Sequence, residues 1–217
     1  MYEKARETIR SDREQNLYSA VTLDMRIREK LYATGIKLPR ILNDTAFLGC
    51  LGPSYADSFL EQLYWLHVFV GSPNSGMQLH HDDLDTHVWG IQLSGSKSFV
   101  FCDPAAGKDE RGGIYTQSEI EQKSPVDGFA VDHGRFPDAV TDARCFHATA
   151  RPGDLVYWPS RWWHQSKNND GDVLSIALSG MHVNKRKLGD FLHKIQGHWG
   201  IRGAFHGRVE TCLRHGV

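Results

Sequence analysis

The run Leu79-His80-His81-Asp82-Asp83 packs two imidazoles and two carboxylates into consecutive positions. On a strand, side chains two residues apart share a face, so His80 and Asp82 can offer a nitrogen and an oxygen to one cation while His81 points away. His81 with Asp83 has the same spacing, and spacing alone does not choose between the pairs. A third donor, His164, closes the run Pro159-Ser160-Arg161-Trp162-Trp163-His164. Taken singly, a His-x-Asp is better explained by a structural or surface pair, and a histidine after two tryptophans by a core residue bonded to a neighbour. Taken together, two histidines and one carboxylate form the facial triad of non-haem Fe(II) oxygenases. Three protein donors leave enough of an octahedral ion open for a bidentate keto acid and dioxygen.

Lys97 is the fourth residue of chemical interest. In Gly95-Ser96-Lys97-Ser98-Phe99-Val100-Phe101 it shares a strand face with Phe99 and Phe101, so an ammonium group is expected where aromatic rings point. A buried lysine without a counter-charge is costly, and an incoming carboxylate would satisfy it. A lysine that snorkels to water, or a face turned outward as a whole, would give the same sequence.

Positioning these groups requires strands. From residue 63 onward short β-rich runs alternate with Gly, Pro, Asn and Asp, the pattern of an all-β sandwich or barrel. The spacing predicts strands over 64–70, 78–82, 88–93, 97–102, 145–150, 155–158, 162–167 and 173–181. Pro152-Gly153 and residues 159–161 read as turns that fold the last runs back antiparallel. Residues 1–35 carry Arg, Glu, Lys and Leu at helical spacing and predict one or two amphipathic helices ending near Gly35. A final helix is expected over 184–196. The polar stretch 103–144 is too long for a hairpin connection and reads as a functional excursion. No repeat or linker composition divides the chain, so a single domain is expected, with helical elements over 1–62, a β core over 63–182 and a helical segment over 183–217.

Composition narrows the function classes. The 217 residues carry a formal net charge of -1, which gives no global attraction to nucleic acid or anionic lipid. Lys185, Arg186 and Lys187 are the one dense basic cluster and read as a solvated helix start. Cys50, Cys102, Cys145 and Cys212 lie far apart, which predicts reduced thiols rather than a disulfide framework or a cysteine zinc cluster. The amino terminus is charged from its third residue and no apolar run approaches a membrane span. A cytoplasmic or nuclear protein without membrane or nucleic-acid partners is therefore expected. The segment 184–217, with Phe191, Trp199 and Phe205, is expected to pack either on its own barrel or in a homodimer.

The run SGMQLHHDDLDTHVWGIQLSGSK resembles the first metal-binding segment of the JmjC enzymes. Its D-x-L-x-T-x-x-W-x-x-x-x-x-G-x-K spacing is similar to the phosphatidylserine-receptor-type lysyl hydroxylases. The later run PGDLVYWPSRWWH resembles the second segment, and the likeness extends over residues 65–182. It implies a double-stranded β-helix (jelly roll, cupin type) with flanking helices, and an Fe(II)- and 2-oxoglutarate-dependent oxygenase that uses dioxygen to hydroxylate, or to demethylate by hydroxylation. It selects His80 over His81 and implies His80, Asp82 and His164 as iron ligands. Lys97 matches the lysine that pairs with the 2-oxoglutarate carboxylate, and Ser179 loosely matches a hydroxyl residue that assists it. A further cosubstrate-binding tyrosine is implied before residue 60, and the motifs do not single one out. Met77 and Gly90 depart from the threonine and asparagine common in relatives, removing hydrogen-bonding groups from the expected pocket. A protein or peptide substrate is implied. A small-molecule or nucleoside hydroxylase, a metal-binding cupin without oxygenase chemistry and a catalytically silent binding module stay open.

Overall fold

The computed structural model describes residues 17–82, 84–104, 123–136, 145–171, 173–196 and 201–215. Among these residues nine strands form two sheets that face each other. One has the order β1 (Tyr18–Thr22), β2 (Leu66–Gly71), β9 (Ser175–His182), β4 (His87–Ser94), β7 (Leu155–Trp158). The other has the order β3 (Gly76–His80), β8 (Trp163–Asn168), β5 (Lys97–Cys102), β6 (Cys145–Ala150). Every pairing is antiparallel, and the crossovers between the two sheets make this a jelly roll. The eight strands expected from the sequence all form, three of them with the expected limits.

Alternation sorts the side chains of each strand. Leu66, Trp89 and Leu178 point outward from the five-stranded sheet into a core shared with the helices. That core also holds Phe47 of α2 (Thr45–Leu51), Phe59 and Leu60 of α3 (Pro53–Gln62), Phe191 and Ile195 of α4 (Leu188–Gln196) and Phe205 of α5 (Ala204–His215). Truncating Phe59 or Phe191, both fully buried, would cost about 3–5 kcal/mol. Of the aromatics expected to choose between barrel and dimer, Phe191 and Phe205 thus pack on their own barrel; Trp199 lies outside the described residues. On the outer face of the other sheet Leu79, Val100 and Trp163 pack under Val126. Between the sheets lie Val88, Phe99, Phe101 and Trp158.

Two expectations are corrected. Residues 18–22 form an edge strand against β2 rather than a helix, because pairing with Val68 and its neighbours completes the sheet and overrides the helical bias of the flanking sequence. Among the described residues the first helix is α1 (Met25–Ala33), where Asp24 caps the Ile27 amide. The part of that expectation covering 1–16 lies outside the described residues, as does most of the excursion 103–144. The four cysteines are paired rather than reduced, Cys50 with Cys212 and Cys102 with Cys145. The partners are distant in sequence, so spacing could not reveal them. The first bond joins α2 to α5, and the second joins register partners at the base of the excursion. The intracellular expectation therefore loses the support it drew from free thiols. Among the described residues no helix is long and apolar enough to cross a membrane.

Candidate metal centre

The donors predicted from sequence converge. His80, Asp82 and His164 each offer a ligand atom, and these atoms lie within 4.8 Å of one another. Asp82 Oδ1 stands 4.0 Å from His80 Nε2, and Oδ2 stands 3.7 Å from His164 Nε2. The two strands bring the histidines together directly: His80 is the register partner of His164, and their ring centroids are 4.1 Å apart.

Backbone contacts set the imidazole tautomers. His80 Nδ1 lies 2.7 Å from the Gln78 carbonyl oxygen and His164 Nδ1 lies 3.0 Å from that of Trp162. A carbonyl can only accept, so each Nδ1 carries the proton and each Nε2 keeps its lone pair toward the site, the arrangement a metal-ligating histidine uses. Burial, reinforced by neighbouring His164, pushes the His80 pKa down to about 4, so the ring is neutral at pH 7. These features fit a divalent cation of the iron class. Among the described residues no other trio of His, Cys, Asp or Glu converges in this way.

Asp82 is held differently from the expectation. The strand predicted over 78–82 ends at His80, so strand periodicity does not aim the carboxylate. It lies just beyond, where the Trp158 indole donates to Oδ2 at 3.3 Å. His81 packs edge-on against Trp163 with ring centroids 4.7 Å apart, away from the site. Its competing partner Asp83 lies outside the described residues.

Lys97 points inward, as its alternation with Phe99 and Phe101 predicted, and is only 4% exposed. Its ammonium lies 3.1 Å from the Tyr18 hydroxyl, 5.0 Å from the Tyr18 ring centroid and 5.4 Å from that of Phe69. Among the described residues no ion pair neutralises it, and burial pulls its pKa down to about 8. Tyr18 is half-buried, and desolvation pushes its pKa up to about 12, so it stays a hydroxyl and also hydrogen-bonds Ser166. A cation, a phenol and a serine hydroxyl thus meet in one cavity with the metal donors. Its volume is about 340 Å³. Ser179 lines the cavity as well, with its hydroxyl donated to the Trp89 carbonyl at 2.9 Å.

Tyr18, His67 and Trp158 escaped the reading of the sequence. Tyr18 reaches Lys97 from an unforeseen strand, and no local motif marks it. His67 had a usable signal: in Leu66-His67-Val68-Phe69 it alternates with core residues and must share a face with Phe69. The rings of Tyr64, His67, Phe69 and Tyr18 follow one another along the cavity wall, with successive centroids 6.0, 5.3 and 5.7 Å apart. Burial lowers the His67 pKa to about 4. Met77 and Gly90 line the cavity as expected. A Cβ on Gly90 would meet only Leu178 O at 3.8 Å and Trp158 Cζ3 at 3.9 Å, so its lack of a side chain widens the pocket rather than relieving a clash.

A model of the cupin-like domain matches residues 11–183 of this chain. The chain belongs to the cupin-like domain family. The domain is of the JmjC type, and its curated relatives share low identity with it. It is 23% identical over 183 residues to the bifunctional arginine demethylase and lysyl-hydroxylase psr-1 of Caenorhabditis elegans, covering 80% of this chain and 43% of that protein. It is 28% identical over 130 residues to the lysine-specific demethylase JMJ21 of Arabidopsis thaliana, covering 58% of this chain and 13% of that protein. Identity to the mouse 2-oxoglutarate and iron-dependent oxygenase JMJD4 is 21% over 169 residues, covering 72% and 36%. The cupin-like chain therefore spans less than half the length of these relatives.

Proposed function

We propose that this cupin-like protein is an Fe(II)- and 2-oxoglutarate-dependent oxygenase that hydroxylates a substrate carbon, or demethylates by hydroxylating an N-methyl group. The observation that carries the reading is the common cavity of the His80, Asp82, His164 trio and the ammonium of Lys97, which no described residue neutralises. A site that only held a metal would have no use for a buried cation beside it. A dianionic keto acid needs both, one end at the ion and the other at the lysine.

In this reading His80, Asp82 and His164 hold the metal, and their three donors leave room on it for the cosubstrate and oxygen. Bound iron(II) with 2-oxoglutarate and dioxygen supplies the oxidising chemistry, releasing succinate and carbon dioxide. The chain supplies everything else. Lys97 and the Tyr18 hydroxyl donate to the distal carboxylate, and its negative charge restores the full charge of the lysine. Ser166 orients Tyr18, and Ser179 lines the same cavity with its hydroxyl donated to the Trp89 carbonyl. The Gln78 and Trp162 carbonyls keep both imidazoles in the tautomer that binds metal. Phe99, Phe101 and Trp158 exclude water from the inner cavity, which strengthens each of these electrostatic contacts. The Tyr64 and His67 rings line the same cavity where substrate would stack. A protein or peptide side chain is the substrate class we favour, supported by the protein-directed activities printed in the names of two relatives.

The test is anaerobic titration with Fe(II) and 2-oxoglutarate, followed by oxygen and quantification of succinate in wild type and in His164→Ala. Succinate from the first and none from the second is expected. Equal traces from both would defeat the oxygenase reading, and metal binding without succinate would leave a cupin of other chemistry.

A further inference from the structure

The two histidine donors are fixed by strand pairing, but Asp82 lies past the end of β3 and cannot be. An ion pair stands where a tether is needed. Asp85 follows Asp82 by three residues and Arg161 precedes His164 by three. Arg161 Nε lies 3.1 Å from Asp85 Oδ1, while Lys194 of α4 places Nζ 3.2 Å from Oδ2. The Asp85 side chain is only 12% exposed, and both cations reach it.

Backbone geometry is unusual at the same two residues, as it also is at Tyr64 and Asn74. Asp85 has φ 53 and Arg161 has φ 67, in the left-handed region that residues with a Cβ rarely occupy. Such conformations persist where surrounding contacts over-determine them, and here the ion pair joins the two residues while Lys194 holds Asp85 from α4. The connections leading out of β3 and into β8, which carry Asp82 and His164, are thereby tied to one another and to α4.

Building on the metal-site reading above, we propose that Asp85 and Arg161 are positioning residues: their ion pair holds Asp82 in place relative to His164 so that the donors converge before a cation arrives. An ordinary surface ion pair would leave metal affinity untouched. A pair that orients a ligand loop resembles the outer contacts of metal sites, whose loss weakens binding by about 10- to 100-fold.

Asp85→Gly and Arg161→Gly test this, because glycine accepts positive φ and each variant removes the charge without adding backbone strain. Cobalt(II) affinity is measured by calorimetry, the cobalt ligand-field spectrum is recorded, and the urea midpoint of the metal-free protein is followed in parallel. Each variant is expected to bind cobalt about tenfold or more weakly than wild type, with an altered spectrum. The double variant should bind no more weakly than the worse single one, since both act through one tether. Arg161→Lys should recover part of the affinity. Cobalt affinities within about twofold of wild type in both glycine variants would overturn the inference while leaving the metal site standing. Wild type that binds no cobalt would sink the metal reading and the tether with it. If Asp85→Gly does not fold, Arg161→Gly carries the test, since the Arg161 side chain is 61% exposed and contributes little to the core.

Discussion

His80 and His164 face each other across β3 and β8 because β3 contains a bulge. Met77 is the partner of Ser166 and His80 the partner of His164, so three residues of one strand span two of the other. In a regular strand Leu79, not His80, would share the inward face of Met77. The extra residue turns Leu79 into the outer core and brings both Met77 and His80 to the cavity.

The close approach of these strands predicts a sensitive glycine. A Cβ on Gly76 would sit 2.0 Å from the Ser166 carbonyl oxygen, a backbone atom that cannot swing aside. Gly76→Ala should force β3 off β8 and lower stability by about 3 kcal/mol, measured by urea unfolding. Metal affinity should fall with it, because the displaced strand carries His80.

Lys97→Met should separate stability from binding. Burial holds the folded-state pKa of Lys97 near 8, below its ordinary 10.5, so the charged form is disfavoured by roughly 3 kcal/mol. Because the folded pKa is the lower one, the unfolded chain holds more protons between pH 8 and 10.5, and wild-type stability should rise across that window. The methionine variant should be the more stable protein at pH 7 and lose that rise, while its affinity for 2-oxoglutarate drops at least about 100-fold. Unfolding curves at pH 7 and pH 10, with isothermal titration of the metal-loaded protein, check both halves. A variant that keeps 2-oxoglutarate affinity would remove Lys97 from the cosubstrate site.

Acid should destabilise the metal-free protein through two imidazoles. His67 and His80 have folded pKa values near 4, below the ordinary 6.5, so each is neutral when folded and takes up a proton on unfolding. Stability is therefore lost as the pH falls from about 6.5 to 4, with a slope approaching two protons, about 2.7 kcal/mol per pH unit. His67→Gln should halve that slope. An unchanged slope in the variant would mean that His67 is not held neutral.

Reduction should cost more than any single core truncation. Cys50–Cys212 closes a loop of 162 residues and Cys102–Cys145 one of 43. Loop-closure entropy then gives about 5 and 4 kcal/mol respectively. A reducing agent should lower the urea midpoint, and alkylation of the denatured, unreduced protein should label no cysteine. Full labelling would mean that the thiols are free in solution.

Tyr18→Phe should keep the fold and weaken 2-oxoglutarate binding by about tenfold, the worth of one hydrogen bond to a charged group. The loss is read by titration against wild type. No change would mean that the hydroxyl serves Lys97 and Ser166 but not the cosubstrate.

The sequence by itself determined eight of the nine described strands, the face Lys97 shows to the interior and the residue types that could hold a cation. These are properties of short windows: alternation writes the facing of a strand into neighbouring residues, and turn chemistry marks its ends. Even there the bulge at 77–80 broke the period, and only the resemblance of the motif chose His80 over His81. Tertiary structure alone decided what depends on distant partners. The strand at Tyr18–Thr22 exists because β2 offers it an edge, and the phenol beside Lys97 follows from that pairing. The cysteines bond because α2 meets α5 and β5 meets β6. Asp85 and Arg161 carry no motif; their union is a product of two connections, distant in sequence, that meet in space. Contacts of this kind are fixed by the packing of the whole chain, and no local pattern encodes them.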